Sequence, residues 1–326
     1  MLPDLLILSI GLVLLLGGGE VMVRGATNLT SVLGVSPFVI GLTVVAFGTS
    51  APELAVNVNA ALTGRGAISF GNIIGSNMAN IGLILGCTAL IRPISIERSF
   101  ATREMPLMLL ATLTAVFMGF DAMLGRGTVD VYGRGEGAVL LLMFAGFLYV
   151  TVGDLVKRGG ESVDRDEAGA ARAQLWLSSA MLLGGLFGLV LGAHLCVNSS
   201  ASLARAMGVP EVIIGLTVLA VGTSLPELVV SVLATLRGQF EIAVGNVVGS
   251  NIFNLLLVLG LTNLLSPTRV PASGHRDLIV VTLMSLLLIF VSTTGRRVII
   301  RAEALLLLSV YVGYLTWRTF LAAPPA

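Results

Sequence analysis

Two short segments decide the fold of this chain: Gly48-Thr49-Ser50-Ala51-Pro52-Glu53 and Gly222-Thr223-Ser224-Leu225-Pro226-Glu227. Each of them places a proline and a glutamate inside a long apolar stretch. Proline cannot donate a backbone hydrogen bond, and an ionisable group within an apolar span is costly and therefore points to function. The duplication of both residues indicates one functional element that occurs twice in the chain.

The duplication extends beyond these segments. Residues 41–86 align without gaps on residues 215–260, at a constant offset of 215 − 41 = 174, and about 26 of the 46 positions are identical. A long internal repeat means that the fold is built from two related units. We assign the first repeat to 1–157, a hydrophilic linker to 158–173 and the second repeat to 174–326.

Composition places both repeats in a lipid bilayer. Of the 326 residues, 56% are hydrophobic and 11% are charged, and the mean hydropathy is +0.98. Soluble domains carry about 25% charged residues, whereas apolar runs of about 20 residues are long enough to cross a membrane as helices. We therefore predict an all-α polytopic membrane protein. No basic tract suggests binding to nucleic acid.

The apolar runs predict ten transmembrane helices, five in each repeat, near 4–30, 36–62, 67–91, 104–120, 136–156, 175–204, 210–236, 241–265, 277–294 and 300–319. Five crossings bring the second copy into the membrane from the opposite side, so the two five-helix repeats are predicted to be inverted. Lys and Arg are more numerous in the loops that would be cytoplasmic if the N-terminus lies outside. We expect a multi-pass protein of the cell membrane (plasma or inner) with its N-terminus outside.

The proline in each segment predicts a broken helix. Pro52 cannot bond the carbonyl of Gly48, and Thr49 and Ser50 are good N-cap residues for a helix that restarts there. The carbonyls of Ala46 to Thr49 would then be freed at the negative end of the first half-helix. The same expectation applies to Ala220 through Pro226.

A second duplicated segment follows each glutamate: Gly71-Asn72-Ile73-Ile74-Gly75-Ser76-Asn77-Met78-Ala79-Asn80 and Gly245-Asn246-Val247-Val248-Gly249-Ser250-Asn251-Ile252-Phe253-Asn254. Neutral oxygens are offered by Ser76, Asn80, Ser250 and Asn254. The other four asparagines fit a role in helix packing or capping as well as a role as ligands. They are Asn72, Asn77, Asn246 and Asn251.

These groups make an all-oxygen site. Two carboxylates, backbone carbonyls, hydroxyls and amides suit hard cations such as Ca²⁺ and Na⁺, whereas zinc and copper prefer histidine and cysteine. Cys87 and Cys196 lie in apolar runs without metal-ligand spacing and are predicted to be buried free thiols. The charges of Glu53 and Glu227 neutralise one Ca²⁺ or two Na⁺. An empty site would leave two nearby carboxylates in apolar surroundings, which is unfavourable, so the site favours an exchanger over a channel.

The paired segments resemble the sodium/calcium exchanger family of the calcium/cation antiporter group, in its prokaryotic type without a regulatory domain. The resemblance implies exchange of Ca²⁺ for Na⁺ at a midplane site. It implies carboxylate ligands from Glu53 and Glu227, and calcium-binding carbonyls from Thr49 and Thr223. It also implies sodium ligands from the carbonyls of Ala46 and Ala220 and from four hydroxyls, with Asn80 and Asn254 as the remaining polar pair. The hydroxyls are those of Ser50, Ser76, Ser224 and Ser250. The resemblance also implies that spans one and six slide past a stationary core. Their many glycines fit such a motion and fit ordinary close packing of helices equally well.

Two positions separate this chain from some relatives. Asn80 and Asn254 are neutral where potassium-dependent members carry Asp, and where cation/proton members usually carry Glu in the same helix. These asparagines weaken both readings. We nevertheless keep a Ca²⁺ (or other divalent cation)/H⁺ antiporter and a K⁺-dependent Na⁺/Ca²⁺ exchanger as alternatives.

A hydrolase that uses Ser50 or Ser224 would need a nearby base, and neither histidine of the chain lies in the aligned segments 41–86 and 215–260. We therefore expect no enzymatic activity and no cofactor. Ca²⁺ and Na⁺ are expected as transported ions, and the protein is expected to function as a monomer.

Overall fold

The computed structural model describes residues 2–123, 125, 128–158, 168–208, 222–293 and 297–318. These ranges contain ten helices and four two-residue strands: α1 (Leu2–Leu33), α2 (Pro37–Leu62), α3 (Gly66–Ile91), β1 (Ile94–Ser95), α4 (Arg98–Met118), β2 (Val131–Tyr132), α5 (Arg134–Arg158), α6 (Ala168–Ala206), α7 (Leu225–Leu236), α8 (Phe240–Leu265), β3 (Thr268–Arg269), α9 (Gly274–Thr293), β4 (Val298–Ile299) and α10 (Arg301–Thr316). The prediction of an all-α protein is confirmed for this part of the chain.

Eight of the helices within the described ranges are long and apolar enough to cross a membrane. The other two are α10, with 16 residues, and α7, which follows residues 209–221 that lie outside the described part. Large apolar side chains such as Val13, Leu142 and Phe290 remain well exposed, as expected of surfaces that face lipid. The prediction of a multi-spanning membrane protein is confirmed. The middle of the predicted linker and the C-terminal tail also lie outside the described residues.

Helices α2, α3 and α8 each contain a π-helical turn, in which one extra residue widens the helix. The turns are Gly41–Val45 in α2, Asn80–Ile84 in α3 and Phe253–Val258 in α8. The repeat offset of 174 relates Asn80 to Asn254, so the turns in α3 and α8 lie at equivalent positions. Such turns are rare and often occur at functional sites. The duplicated sequence therefore produces a duplicated local distortion.

The chain divides into two compact units, and each unit takes segments from both sequence halves. The first unit comprises Met1–Thr49 and Val150–Asn246, and the second comprises Ser50–Tyr149 and Val247–Ala326. The boundaries of the two sequence repeats, at 157 and 174, remain a prediction.

In the first unit, α1 and α6 pack against each other along their length through glycines. A Cβ atom built on Gly25 would lie 2.7 Å from the backbone nitrogen of Leu182, and one built on Gly18 would lie 2.7 Å from the carbonyl oxygen of Gly185. Small residues at helix contacts allow backbones to approach this closely. Glycines such as Gly18, Gly25 and Gly185 therefore serve close packing between these two helices.

In the second unit, each short strand of one sequence repeat pairs with a strand of the other repeat. Strand β1 pairs with β4 and strand β2 pairs with β3, both antiparallel. The strands β1 and β3 are related by the repeat offset, since Ile94 and Thr268 are 174 residues apart. Exchanging the two repeats therefore converts one strand pair into the other.

Helix packing in this unit follows the same exchange. Gly86 of α3 lies against Ala304 of α10, and its repeat counterpart Gly260 of α8 lies against Gly137 of α5. The third helix of each repeat thus contacts the fifth helix of the other repeat.

The prediction of a broken helix at Pro52 is wrong for the first repeat. Helix α2 continues from Pro37 to Leu62 with Pro52 in its interior. A proline removes one hydrogen bond, here the one to the carbonyl of Gly48, while the bonds before and after it can persist. Apolar surroundings favour this continuity because no water competes for the backbone groups. Pro52 therefore removes the helical N–H donor of the Gly48 carbonyl, and the run from Ala46 to Thr49 is helical.

The second repeat does contain the expected restart. Ser224 is the N-cap residue of α7, with φ −94° and ψ 6°, and Pro226 occupies the first turn, where its missing N–H costs least. The Ser224 side chain forms no capping hydrogen bond. The two copies of one sequence pattern thus adopt different backbone structures. Ala220, predicted to offer a carbonyl, lies outside the described residues.

Candidate functional site

The two glutamates of the duplicated segments are almost completely buried. Glu53 lies in α2 and Glu227 in the first turn of α7, and each is 1% exposed. Burial of a carboxylate costs several kcal/mol unless charge or hydrogen bonds compensate it. Because both glutamates are buried in this way, we interpret them as functional residues.

In the first unit, the side chain of Asn246 connects the two duplicated segments. The Thr49 hydroxyl donates to Asn246 Oδ1 at 3.1 Å and lies 3.3 Å from the carbonyl oxygen of Ala46. Asn246 Nδ2 donates to the carbonyl oxygen of Glu227 at 3.3 Å and to Ser231 Oγ at 3.0 Å. The structure thus brings Thr49 of the first repeat and Glu227 of the second to one buried asparagine.

Asn246 was one of the asparagines that the sequence left between packing and binding roles. Each of its side-chain atoms forms a hydrogen bond within the protein, and the residue is fully buried. Its role in the structure is to hold two candidate ligands in register.

The backbone near Glu53 has its own polar partner, which the sequence analysis missed. Asn57 Nδ2 donates to the carbonyl oxygen of Glu53 at 2.7 Å, one helical turn away, and Asn57 is 1% exposed. Its repeat counterpart is Ser231, which accepts from Asn246. A polar residue four positions after the glutamate on the same helix face was the signal that could have identified it.

In the second unit, α3 and α8 bury the four residues predicted to offer neutral oxygens: Ser76, Asn80, Ser250 and Asn254. Three of their oxygens, Asn80 Oδ1, Ser250 Oγ and Asn254 Oδ1, have no hydrogen-bond partner among the described residues. Buried polar atoms without partners are rare in native proteins, so each calls for a ligand or a solvent molecule. Asn80 begins the π-helical turn of α3, and Asn254 lies in that of α8.

The remaining candidates lie beside the glutamates in sequence. Ser50 is buried in α2, Thr223 is partly buried, and Ser224 is buried at the start of α7. The Ser224 hydroxyl, like that of Ser250, meets no hydrogen-bond partner in the described ranges.

The chemistry of these groups is uniform. The candidates offer carboxylate, hydroxyl, amide and carbonyl oxygens, and no cluster of three or more His, Cys, Asp or Glu side chains suited to a metal ion occurs in the residues that the structure describes. Oxygen ligands of mixed charge suit hard cations such as Ca²⁺ and Na⁺.

Comparison with known proteins identifies relatives over nearly the whole chain. The family described as sodium/calcium exchanger protein matches residues 4–153 and 177–320. The putative antiporter CaxA of Alkalimonas amylolytica is 36% identical over 325 residues, which cover 96% of this chain and 98% of CaxA. The sodium/calcium exchanger MaX1 of Methanosarcina acetivorans is 35% identical over 349 residues, with 96% and 97% coverage.

Solved structures agree with the sequence relatives. The sodium-calcium exchanger NCX_Mj is similar to this chain with a TM-score of 0.83 and 33% identity, covering 96% of this chain and 98% of the other. The match in sequence and in fold extends over both repeats. The chain therefore belongs to the sodium/calcium exchanger family.

Proposed function

We propose that this protein is a secondary active antiporter that exchanges Ca²⁺ for Na⁺ across a membrane by alternating access. The observation that carries the proposal is the burial of Glu53 and Glu227 within duplicated segments of apolar helices. Membership of the sodium/calcium exchanger family supports it, as do MaX1 and NCX_Mj, which are themselves named exchangers. The ions are cargo, and no cofactor or catalytic step is required.

We infer that the ions bind to oxygens of both repeats. Glu53 and Glu227 provide the charge, and the carbonyls of Thr49 and Thr223 complete the Ca²⁺ site. The Na⁺ sites use other carbonyls and hydroxyls, with Asn80 and Asn254 as neutral partners. These are the carbonyls of Ala46 and Ala220 and the hydroxyls of Ser50, Ser76, Ser224 and Ser250. The oxygens of Ser224, Ser250, Asn80 and Asn254 have no partner in the part of the chain that the structure describes, and this supports the assignment because a bound cation would satisfy them.

We infer that the two five-helix repeats are inverted. The exchange of strand partners and of helix partners between the repeats in the second unit supports a two-fold relation. With an odd number of spans in each repeat, such an axis lies in the membrane plane. The positive-inside rule then favours an external N-terminus in the plasma or inner membrane, and we expect the monomer to be active. Labelling of Lys157→Cys from outside by an impermeant thiol reagent would contradict this orientation.

Flux measurements in reconstituted vesicles test the proposed exchange. Vesicles loaded with Na⁺ and diluted into Na⁺-free medium should accumulate radiolabelled Ca²⁺, and collapse of the Na⁺ gradient should abolish uptake. Glu53→Gln and Glu227→Gln should each lower uptake by at least about tenfold, since each removes a charged ligand worth more than 1.4 kcal/mol. The matched control is Glu97→Gln, which neutralises an exposed carboxylate and should leave uptake unchanged.

Gradient substitution separates the alternatives. Uptake driven by a pH gradient in the absence of Na⁺ would indicate a Ca²⁺/H⁺ antiporter, and uptake that requires K⁺ would indicate a K⁺-dependent exchanger. Uptake that is equal in the parent protein and in Glu53→Gln would refute the proposed site.

A further inference from the structure

The amide of Asn80 is held by another asparagine of the second unit. Asn80 Nδ2 donates to Asn251 Oδ1 at 3.0 Å, and both residues are 1% exposed. Asn251 Nδ2 lies 3.6 Å from the sulfur of Met108 on α4. The three side chains form a buried chain that runs from α4 through α8 to α3.

The chemistry of the sulfur fixes the direction of this chain. A thioether can accept a hydrogen bond but has no proton to donate. The atom of Asn251 that faces Met108 must therefore be the amino group, which leaves the Asn251 oxygen facing Asn80. Asn80 in turn must present its own amino group to that oxygen. This arrangement leaves the carbonyl oxygen Oδ1 of Asn80 outside the chain of hydrogen bonds.

That remaining oxygen has no hydrogen-bond partner among the described residues. A free amide could rotate by half a turn and present its amino group instead, which would repel a cation. With its amino group bound to Asn251, Asn80 can offer only an oxygen. Amide oxygens are normal ligands of hard cations.

We propose that Asn251 is a positioning residue for ion binding. It holds the Asn80 amide so that Oδ1 faces the transported cation, and Met108 sets the direction of the hydrogen bonds. The inference rests on the proposed function and deepens it, because it assigns the role of one of the asparagines that the sequence left open. Asn251 itself does not touch the ion.

The same helix provides an internal control. Thr262 of α8 lies beyond the duplicated residues 215–260 and is 1% exposed, and its hydroxyl lies 2.8 Å from the carbonyl oxygen of Val258 and 3.0 Å from that of Leu259. A Thr262→Val variant therefore removes a buried polar group of α8 without breaking a bond to a candidate ligand.

The test compares Asn251→Leu with Thr262→Val in Na⁺-driven Ca²⁺ uptake and in thermal unfolding of the purified protein with and without Ca²⁺. Asn251→Leu should raise the KM for Ca²⁺ by roughly tenfold and shrink the Ca²⁺-induced rise in melting temperature. Thr262→Val should leave the KM within about twofold of the parent and the Ca²⁺-induced rise unchanged. Asn251→Asp keeps an acceptor oxygen opposite Asn80 and should restore most of the affinity.

Met108→Leu is a second variant for this test, and it conserves side-chain volume. It leaves both asparagines in place but removes the acceptor that orients Asn251, so the KM should rise by about threefold. If Asn251→Leu does not fold, Met108→Leu and Asn251→Asp decide the question.

Two results would overturn the inference. One is an equal effect of Asn251→Leu and Thr262→Val on the KM. The other is a loss of stability in Asn251→Leu or Met108→Leu with unchanged KM, which would show a purely structural role. If the parent protein binds Ca²⁺ in the melting assay but transports none, the proposed exchange fails, while the melting assay still tests the positioning role.

Discussion

At the scale of single residues, two equally buried serines can distinguish a role in ion binding from a role in packing. Ser224 is 2% exposed and Ser292 is fully buried, and neither hydroxyl has a hydrogen-bond partner among the described residues. Only Ser224 belongs to the duplicated segments. A buried hydroxyl that makes no bond can be removed without losing a protein contact, so any effect on ion binding reports a ligand.

We predict that Ser224→Ala raises the Na⁺ concentration for half-maximal Ca²⁺ uptake severalfold, equivalent to about 1 kcal/mol, and leaves the free energy of unfolding within about 0.5 kcal/mol. The physical reason is that a cation loses one oxygen ligand while the protein loses no hydrogen bond to any of the described residues. The measurements are the Na⁺ dependence of uptake and thermal unfolding in Na⁺-free detergent solution.

The control for this prediction is Ser292→Ala, which removes an equally buried hydroxyl of α9 outside the site. It should leave the Na⁺ dependence unchanged. An equal shift in both variants would mean that the effect arises from packing and that Ser224 is not a ligand.

At the scale of elements, the contact between α1 and α6 depends on particular glycines. Gly25 has backbone atoms of Leu182 and Ser178 where a side chain would be, at 2.7 and 3.0 Å from an added Cβ. Gly184, on α6, has no atom within 4 Å of such a Cβ. The glycines of these helices thus differ. Some, such as Gly25, lie at a backbone contact between α1 and α6, and others, such as Gly184, have room for a side chain.

We predict that Gly25→Ala destabilises the protein by about 1–3 kcal/mol, because the added methyl group must push two backbones apart. Melting temperature in detergent measures the effect. Gly184→Ala is the matched control, and we expect it to be neutral or stabilising by up to about 1 kcal/mol through helix propensity. Equal melting temperatures for the two variants would contradict the close contact.

The same contact bears on transport. Because α1 and α6 are packed backbone to backbone, we expect any sliding motion to carry both helices together. Glu20 of α1 also forms two ion pairs, since it accepts from Arg237, just beyond α7, at 2.7 Å and from Arg24 at 2.8 Å. Exposed pairs of this kind contribute about 0–1 kcal/mol, so the glycines dominate the packing energy.

At the scale of the whole molecule, the short strands connect the two sequence repeats within the second unit. Ser95 of β1 pairs with Val298 of β4, and Tyr132 of β2 pairs with Thr268 of β3. Each pair joins the end of a third helix in one repeat to the start of a fifth helix in the other. The predicted inversion would place β1 and β3 at opposite faces of the membrane.

We predict that Ser95→Cys with Val298→Cys forms a disulfide on oxidation, in a background that carries Cys87→Ala and Cys196→Ala. Directly paired residues of antiparallel strands have Cα atoms about 4.5–5.5 Å apart, which lies within the range of disulfides. Loss of free thiols and faster gel migration measure the reaction. Because the bond lies within one compact unit, Ca²⁺ uptake should persist.

The mismatched pair of Ser95→Cys with Thr268→Cys tests the inversion of the repeats. These residues occupy equivalent strands, and we expect no intramolecular disulfide between them. Efficient cross-linking of this pair would contradict opposite placement of β1 and β3.

The sequence by itself determined the membrane class, the helical fold and the identity of the duplicated segments. These features depend on composition, on the length of apolar runs and on a repeat offset, all of which are local or countable along the chain. The two buried glutamates, Glu53 and Glu227, were found in the same way, because an ionisable residue in an apolar span is conspicuous without a structure.

Only the tertiary structure decided what surrounds these residues. The proline pattern is the same in both copies, yet α2 continues through Pro52 whereas α7 begins anew at Ser224. The asparagines are equally ambiguous in sequence, yet Asn246 connects Thr49 to Glu227 and Asn251 accepts a hydrogen bond from Asn80. Thr49 and Asn246 are 197 residues apart in sequence, and hydrogen-bond partners this distant depend on packing in space. The duplicated segments therefore identify the candidate ligands, and the fold determines which atoms they can offer to an ion.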